Sequence, residues 1–220
     1  MRQFAVIGLG NFGSTVARTL SEKGLPVIAI DRNPERVESI RDLVTQAVVG
    51  DASDPIFLGG VGISEVDVVL VALGDDIEAS VLVTLYLHEI EIDKIIVKGI
   101  SKEHGEILTL VGASEVVYPE NEMAERVASS LSAPNIIDHI PLAEGYSIVE
   151  LIAPQSFINK TLLELNLRRE YGVEVLVIKR GNPQADPPVI VVPGAGEIIR
   201  DKDKMVILGA SENVERINKL

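Results

Sequence analysis

The chain has 220 residues and a formal net charge of −13, and both figures exclude classes of protein. The length suits one large or two small domains, and 46% hydrophobic residues are enough for a substantial core. The absence of cysteine excludes disulfides, thiolate catalysis and cysteine metal sites. An acidic chain without a cluster of Lys and Arg is not expected to bind nucleic acid.

The apolar segments are short. The longest runs, such as 68–73 and 81–87, are the size of a strand or a helix and fall well below the ~18 residues of a membrane span. The first predicted strand begins at Gln3, which leaves no room for a signal peptide. We therefore expect a cytoplasmic protein without direct membrane insertion.

A glycine-rich turn follows the first predicted strand (3–7). Gly8, Gly10 and Gly13 have the spacing G-x-G-x-x-G, and a helical pattern over 12–23 begins at once. In this context Gly8 allows a tight turn, Gly10 lets a phosphate approach the backbone, and Gly13 allows close packing of helix on strand. Free N–H groups and the helix dipole then favour a pyrophosphate.

An acidic residue ends the second predicted strand (27–30). Asp31 lies about 20 residues beyond the glycines, where a carboxylate accepts hydrogen bonds from both ribose hydroxyls. Asp31 favours a free 2′-hydroxyl over a 2′-phosphate, although the adjacent Arg32 weakens that preference. The alternative is that Asp31 only caps the helix that begins near Pro34. NAD, ADP and ATP share the adenosine and pyrophosphate, so the pattern does not choose among them.

Strand and helix patterns alternate through the first 120 residues. Several of the strands are almost entirely apolar, as expected when both faces of a parallel sheet are covered. The pattern predicts an α/β doubly wound parallel sheet, which binds ligands at the carboxyl ends of its strands. Strands are predicted at 3–7, 27–30, 46–49, 66–72, 94–98 and 115–118, and helices at 12–23, 34–42, 54–60, 77–89 and 102–111.

Candidate ligand contacts follow the third predicted strand. Asp51 is placed to accept a hydrogen bond from an adenine amino group, and Ala52 to pack against the ring. The alternative for this segment is a helix cap, with Ser53 as the N-cap and Asp54 in the first turn. Both interpretations can hold together.

Two further strand ends carry candidates. After the fourth strand, Leu73 and Gly74 allow close approach of a ligand; the alternative for Asp75 and Asp76 is that they only cap the next helix. Lys98 ends the fifth strand and is placed to reach a terminal phosphate; the alternative is an ordinary exposed lysine.

A helix with an apolar stripe leaves the completed sheet at 120–131. Met123, Val127 and Leu131 line one face, which needs a cover from a second domain or another subunit. A small α+β module follows the helix. Its predicted elements are strands at 146–153, 173–179, 189–192 and 205–208, helices at 161–165 and 213–220, and a loop at 181–188.

The sequence contains no recognisable catalytic motif. His88, His104 and His139 are scattered without metal-ligand or triad spacing, and we expect each to be a surface or capping residue. A nucleotide site beside a small module without catalytic residues suggests ligand sensing rather than an enzyme.

The whole chain resembles the KtrA/TrkA-type cytosolic regulatory subunits of potassium transporters, built from RCK N-terminal and C-terminal domains. KtrA is the closer match, because a TrkA of the common long form carries two such units in tandem. The segments that carry the resemblance are FAVIGLGNFG (4–13), AID (29–31), GDAS (50–53), GASEVVYPE (112–120), YSIVEL (146–151) and LNLRREYG (165–172).

The resemblance implies an architecture and a role. A Rossmann-like domain (1–119) is followed by a crossover helix and hinge (120–138) and a small α+β C-terminal domain (139–220). Homodimers joined through the crossover helix assemble into an octameric ring beneath a membrane K⁺ channel subunit, at the inner face of the membrane. ATP or ADP, and in some members NAD⁺ or NADH, binds the glycine loop and changes the shape of the ring.

The resemblance also implies a set of site residues. Glu120 resembles an interface glutamate that approaches the nucleotide phosphates and a divalent cation, and its hard oxygen ligands suit Mg²⁺ or Ca²⁺. Many relatives have Arg where this chain has Asn11, and that Arg contacts a phosphate across the dimer. Its absence favours ADP, AMP or NAD over ATP as the ligand, unless Lys98 compensates. The matching nucleotide residues are Gly8, Gly10, Asn11, Phe12, Gly13, Asp31, Arg32, Asp51, Ala52, Lys98 and Glu120.

A second ligand is implied for the C-terminal domain. Several relatives bind cyclic di-AMP there at a dimer interface, and Leu162, Leu163, Asn166 and Arg168 partly match that pattern. Asn166 stands where binders commonly have Asp. The alternative is an ordinary helix-to-strand corner with a buried pair of leucines.

Three functions follow from these observations. The first is a non-enzymatic, nucleotide-gated regulatory subunit for K⁺ uptake. The second is a small NAD-dependent oxidoreductase with an unrecognised substrate. The third is a passive adaptor whose nucleotide site no longer binds.

Overall fold

The structure is a computed structural model that describes residues 2–74, 76–132, 136–181 and 189–220. The chain divides into two compact units, Met1–Asn121 and Glu122–Leu220, and each is described by itself. None of the helices in these described ranges is both long and apolar enough to cross a membrane.

The first unit is a six-stranded parallel sheet with helices on both faces. Its strand order, β3-β2-β1-β4-β5-β6, is that of the doubly wound dinucleotide-binding fold. The strands are β1 (Phe4–Ile7), β2 (Val27–Asp31), β3 (Gln46–Val49), β4 (Val68–Val71), β5 (Lys94–Lys98) and β6 (Glu115–Val117). The helices are α1 (Asn11–Glu22), α2 (Pro34–Ile40), α3 (Pro55–Gly60), α4 (Ile77–Glu89) and α5 (Lys102–Leu110).

Alternate residues of the central strand enter two separate cores. Ala5 and Ile7 pack in a cluster with residues of α3, α4 and α5, whereas Val6 packs with residues of α1 and α2. The register pairs Phe4 with Val27 on one side and with Val68 on the other, so β1 lies in the middle of the sheet. The doubly wound architecture predicted from the sequence is thereby confirmed.

The second unit is built on a five-stranded antiparallel sheet of order β10-β9-β11-β8-β7. Helix α6 (Pro119–Ser132) spans the division between the two units. The strands are β7 (Ile136–Ala143), β8 (Tyr146–Ile152), β9 (Val173–Arg180), β10 (Val189–Val191) and β11 (Lys204–Ala210), and the further helices are α7 (Leu162–Leu165), α8 (Leu167–Glu170) and α9 (Ser211–Asn218). A small α+β domain after the crossover helix was predicted, and the structure contains one.

The sequence pattern did not indicate strand β7, nor did it indicate the short helix α8. Strand β7 lies at the edge of the sheet, its register shifts twice against β8, and it contains Pro141. These shifts break the alternation of apolar and polar residues, and an edge strand tolerates proline because one side needs no ladder hydrogen bond. Most of the loop predicted at 181–188, and Pro134, lie outside the described residues. The domain boundaries at 119 and 139 stay a prediction.

Candidate functional site

The glycine loop between β1 and α1 is shaped by contacts that admit no side chain at two positions. Gly8 has φ +94°, and a Cβ there would lie 2.4 Å from the carbonyl oxygen of Ala72 at the end of β4. A Cβ on Gly13 would lie 1.9 Å from the carbonyl oxygen of Gly8. The first turn of α1 therefore packs directly on the loop, as the spacing predicted.

Gly10 differs from the other two glycines because a Cβ there would meet no atom within 4 Å. Gly10 is the N-cap of α1, and the first bond within the helix runs from the amide of Ser14 to the Gly10 carbonyl oxygen at 2.9 Å. The amides of Asn11, Phe12 and Gly13 thus have no acceptor within the helix. This first turn, described in full, holds no acidic side chain. The arrangement suits an anion such as a pyrophosphate.

Asp31, the last residue of β2, holds the glycine loop in place. One carboxylate oxygen accepts a hydrogen bond from the amide of Leu9 at 2.6 Å, and the other accepts from the amide of Asn33 at 2.8 Å. The side chain is buried, and Arg36 approaches it at 3.5 Å. Helix α2 is capped by Asn33, whose side chain accepts from the amide of Glu35. The alternative in which Asp31 is the cap of this helix is therefore wrong.

Asp51 follows β3 and is held in a tight local turn. Its carboxylate accepts hydrogen bonds from the amide and the hydroxyl of Ser53, at 2.9 Å and 2.7 Å, and these bonds lower the pKa of Asp51. The N-cap of α3 is Asp54, which accepts from the amide of Ile56. The expected Ser53 cap is therefore wrong by one residue, because Pro55 takes the first position of the helix. Ala52 is buried beside this turn.

An ion pair links the end of β2 to the start of α4. Arg32, directly after Asp31, donates from its guanidinium to one carboxylate oxygen of Asp76. The other oxygen of Asp76 accepts from the amide of Ala79 at 3.1 Å, so Asp76 also caps α4, as the sequence suggested. The pairing raises the pKa of Arg32 and lowers the pKa of Asp76. Leu73 and Gly74, which has φ +61°, lie between β4 and this cap.

Lys98 and Glu120 form a second group at the end of β5. The Lys98 ammonium donates to a carboxylate oxygen of Glu120 at 2.5 Å, and this contact holds the pKa of Glu120 below its usual range. Lys98 is mostly buried and is not the ordinary exposed lysine of the alternative interpretation. Within the described ranges, no group of three or more His, Asp or Glu side chains is placed to hold a metal ion. A cation at Glu120 would therefore need ligands from the nucleotide or from another chain.

One histidine lies where the sequence did not place it. His104 is buried between α4 and α5, and its Nε2 lies 2.9 Å from the hydroxyl oxygen of Ser80. The expectation of a surface or capping residue is wrong for His104. Burial lowers its pKa, because a charged imidazolium is poorly solvated there.

Pocket-lining residues also converge in the second unit. Leu162, Leu163, Asn166 and Arg168 line a cavity of about 250 Å³, and Pro193, Gly194 and Ala195 line it as well. Asn166 adopts the left-handed conformation (φ 42°) between α7 and α8. The family resemblance grouped the first four of these residues, whereas nothing in the sequence indicated that residues 193–195 line the same cavity.

Comparison with solved structures agrees with the fold. The GsuK channel bound to NAD aligns with the whole of this chain at a TM-score of 0.52 and 23% identity, and the aligned region is 38% of that channel chain. The NAD(P)-binding domain of an exopolyphosphatase-related protein from Archaeoglobus fulgidus aligns with 60% of this chain and 98% of its own length, at a TM-score of 0.52 and 25% identity.

Comparison of sequences identifies the family. The TrkA-N domain model matches residues 4–119, and the TrkA-C domain model matches residues 146–220. The Ktr system potassium uptake proteins C and A of Bacillus subtilis are each 37% identical to this chain, over 99% and 98% of it and 96% and 95% of their own lengths. The Ktr system potassium uptake protein A of Vibrio alginolyticus is 32% identical over all of this chain and 96% of its own length. The chain therefore belongs to the Ktr/Trk family of potassium uptake proteins, with a TrkA-N and a TrkA-C domain.

Proposed function

We propose that the chain is a non-enzymatic regulatory subunit that gates a membrane K⁺ transporter in response to an adenine nucleotide. The observation that carries the proposal is the glycine loop, whose Leu9 amide bonds to the buried carboxylate of Asp31 and which leads into a helix whose first amides have no acceptor within the helix. The relatives with the highest identity reported above are named potassium uptake proteins, which supports transport as the process regulated. The subunit acts at the inner face of the membrane.

Each strand end contributes one part of the nucleotide contact. Asp31 accepts hydrogen bonds from the ribose hydroxyls, the amides of Asn11, Phe12 and Gly13 hold the phosphates, and Asp51 with Ala52 contacts adenine. Leu73 and Gly74 border the phosphates on the β4 side, and Arg32 supplies positive charge. The Archaeoglobus domain that aligns with 60% of this chain is named an NAD(P)-binding domain, so NAD or NADH is an alternative to ATP or ADP.

Glu120 and Lys98 are proposed to read the number of phosphates. A third phosphate that reached the pair would attract the Lys98 ammonium and repel the Glu120 carboxylate. A divalent cation would turn the repulsion between the phosphate and Glu120 into attraction, because the oxygen atoms of both are hard ligands that suit Mg²⁺ or Ca²⁺. A ligand that leaves the Lys98–Glu120 pair intact and a ligand that breaks it would then favour different conformations of the chain. Gating requires such a difference, because a ligand shifts the equilibrium only if it binds the two conformations with different affinity.

A second copy of the chain is proposed to cover α6, so that the subunit is a homodimer. Met123, Val127 and Leu131 are 54%, 49% and 78% exposed on this helix. Growth from a dimer to an octameric ring needs a second, different interface on each chain. Exposed apolar side chains on α4 and α5 offer one in the first unit; they are Ile77, Leu82, Leu85, Ile107 and Leu110.

The cavity at Arg168 supports a second ligand, for which cyclic di-AMP is the candidate. Its 250 Å³ falls below the range of about 300–1,000 Å³ typical of ligand pockets, so one chain would supply only part of the site and a partner the rest. Arg168 is exposed, and its 3.7 Å contact with Glu174 is weak enough to yield to a phosphate. Titration with cyclic di-AMP should show binding that Arg168→Ala reduces at least tenfold.

The nucleotide proposal is tested by calorimetric titration of the purified protein with ATP, ADP, AMP, NAD⁺ and NADH, each with and without Mg²⁺. Binding that depends on the number of phosphates supports a nucleotide-responsive gate. Binding of NAD(H) alone, together with turnover of NADH in the presence of a carbonyl substrate, would favour an oxidoreductase instead. If none of the five ligands binds, the chain is a passive adaptor and the proposal fails.

A further inference from the structure

The Arg32–Asp76 ion pair crosses the proposed nucleotide site. Arg32 follows β2 and Asp76 precedes α4, while β1 and its glycine loop lie between β2 and β4 in the sheet. Adjacent strands are about 4.8 Å apart, so the two chain segments joined by this pair lie about 10 Å apart, on either side of the loop. Both segments also lie against the glycine loop. The segment after β2 does so through Asp31, which accepts from the amide of Leu9, and the segment after β4 does so through the carbonyl group of Ala72, which lies next to Gly8.

The charges around Arg32 are predominantly negative. Its guanidinium pairs with Asp76, and the carboxylates of Asp51 and Asp31 are near enough to add to the negative potential at this cation. A phosphate-bearing ligand adds further negative charge to the same region. The guanidinium is well suited to a phosphate, which it can contact through two parallel hydrogen bonds. Asp76 already accepts from its Nη2 group, so a phosphate that uses this group must compete with Asp76.

We propose that the Arg32–Asp76 pair is a clasp over the nucleotide site, that ligand phosphates compete with Asp76 for Arg32, and that Asp76 thereby sets how strongly the site favours phosphorylated ligands. This inference rests on the proposed nucleotide-binding function. Asp76 is a specificity-determining residue in this scheme, and it also caps α4 through Ala79. When Asp76 releases Arg32, the change therefore affects the first turn of α4, a helix whose exposed face carries apolar side chains.

The exposure of the pair limits the size of the effect. The side chains of Arg32 and Asp76 are 58% and 36% exposed, and ion pairs with this much solvent contact are weak and sensitive to salt. We therefore expect the clasp to change the affinity for a diphosphate by about threefold to fivefold, and by less at high salt.

The experiment is calorimetric titration of ADP and adenosine into the wild-type chain and four variants, Asp76→Asn, Arg32→Gln, the double variant and Glu78→Gln. Asparagine is also a good N-cap, so Asp76→Asn removes the charge and keeps α4 capped. Glu78 lies in the same first turn, and Glu78→Gln is the matched control for the loss of one negative charge.

Asp76→Asn should bind ADP about threefold to fivefold more tightly than wild type, with adenosine unchanged and the gain reduced at 0.5 M salt. In the Arg32→Gln background the same substitution should change ADP affinity less than twofold. Equal gains in Asp76→Asn and Glu78→Gln, an equal gain for adenosine, or a gain that survives Arg32→Gln would overturn the clasp. ADP binding that Asp76→Asn leaves unchanged removes the clasp alone. If neither the wild-type chain nor any variant binds ADP, the clasp fails, and the proposed function fails with it when ATP, AMP, NAD⁺ and NADH do not bind either.

Discussion

Replacement of Asp31 by Ala should separate the two roles of this carboxylate. Asp31 holds the glycine loop through the amide of Leu9 and is proposed to bind the ribose hydroxyls. Leu9 is buried, so its amide would lose its acceptor at a cost of about 1–3 kcal/mol. Asn33 is half-buried and its amide can bond to water instead, so the loss of its hydrogen bond to Asp31 should cost only about 0.5–1.5 kcal/mol of stability.

The loss is small enough for the first unit to remain folded. A domain of this size is stabilised by about 5–15 kcal/mol, so Asp31→Ala should lower the melting temperature by roughly 10 °C without unfolding the protein at 25 °C. Two lost hydrogen bonds to ribose should weaken ADP binding at least about 30-fold. Circular dichroism measures the first effect, and calorimetric titration at 20 °C measures the second.

Asp67→Ala is the matched control, because Asp67 also accepts a hydrogen bond from a backbone amide next to β1. Its partner is the amide of Gln3, at 2.5 Å, at the opposite end of the sheet. This variant should lose some stability and keep its affinity for ADP. If Asp31→Ala is folded and binds ADP within threefold of wild type, Asp31 does not bind the ribose. If Asp67→Ala loses as much affinity, the effect is general destabilisation.

Three further predictions concern other parts of the first unit. Gly13→Ala should fail to yield folded protein that binds nucleotide, since its Cβ would overlap the Gly8 carbonyl oxygen, while Gly60→Ala, which meets no atom within 4 Å, should melt and bind ADP like wild type. Glu120→Gln should abolish any gain in ATP affinity produced by Mg²⁺, and a gain that persists in calorimetry would exclude Glu120 as a cation ligand. Burial lowers the pKa of folded His104, so the unfolded chain takes up a proton first as the pH falls below about 6.5; the free energy of unfolding should then decrease from pH 7.5 to 5.5, and less so in His104→Asn. If urea denaturation shows the same decrease in the free energy of unfolding for His104→Asn as for wild type, His104 is not the source of the pH dependence.

The sequence predicted the parts of the structure that depend on local spacing. The glycine triplet, the acidic residue at the end of the second strand and the alternation of strands and helices each follow from one short pattern, and the fold agrees with them. The cap at Asp54 could also have been predicted, because Pro55 favours the first helical position and places the N-cap one residue before it.

The sequence did not predict contacts between distant residues. Arg32 and Asp76 are 44 positions apart, and their pairing depends on β2 and β4 flanking β1. The burial of His104 depends in the same way on how α4 packs against α5. Strand β7 was missed for a different reason, since edge strands with proline and register shifts lose the periodicity by which strands are found.

If this chain couples nucleotide binding to K⁺ transport, K⁺ flux through the proposed membrane partner must depend on both the chain and the nucleotide. Purified chain would be added to proteoliposomes that contain a Ktr/Trk-type membrane subunit from the same organism, and K⁺ flux would be measured with ATP, with ADP and without nucleotide. We predict that the wild-type chain changes the flux, that ATP and ADP give different rates, and that Asp31→Ala removes the difference while Asp67→Ala keeps it. A flux that is the same with and without the chain, under all three conditions, would contradict the account.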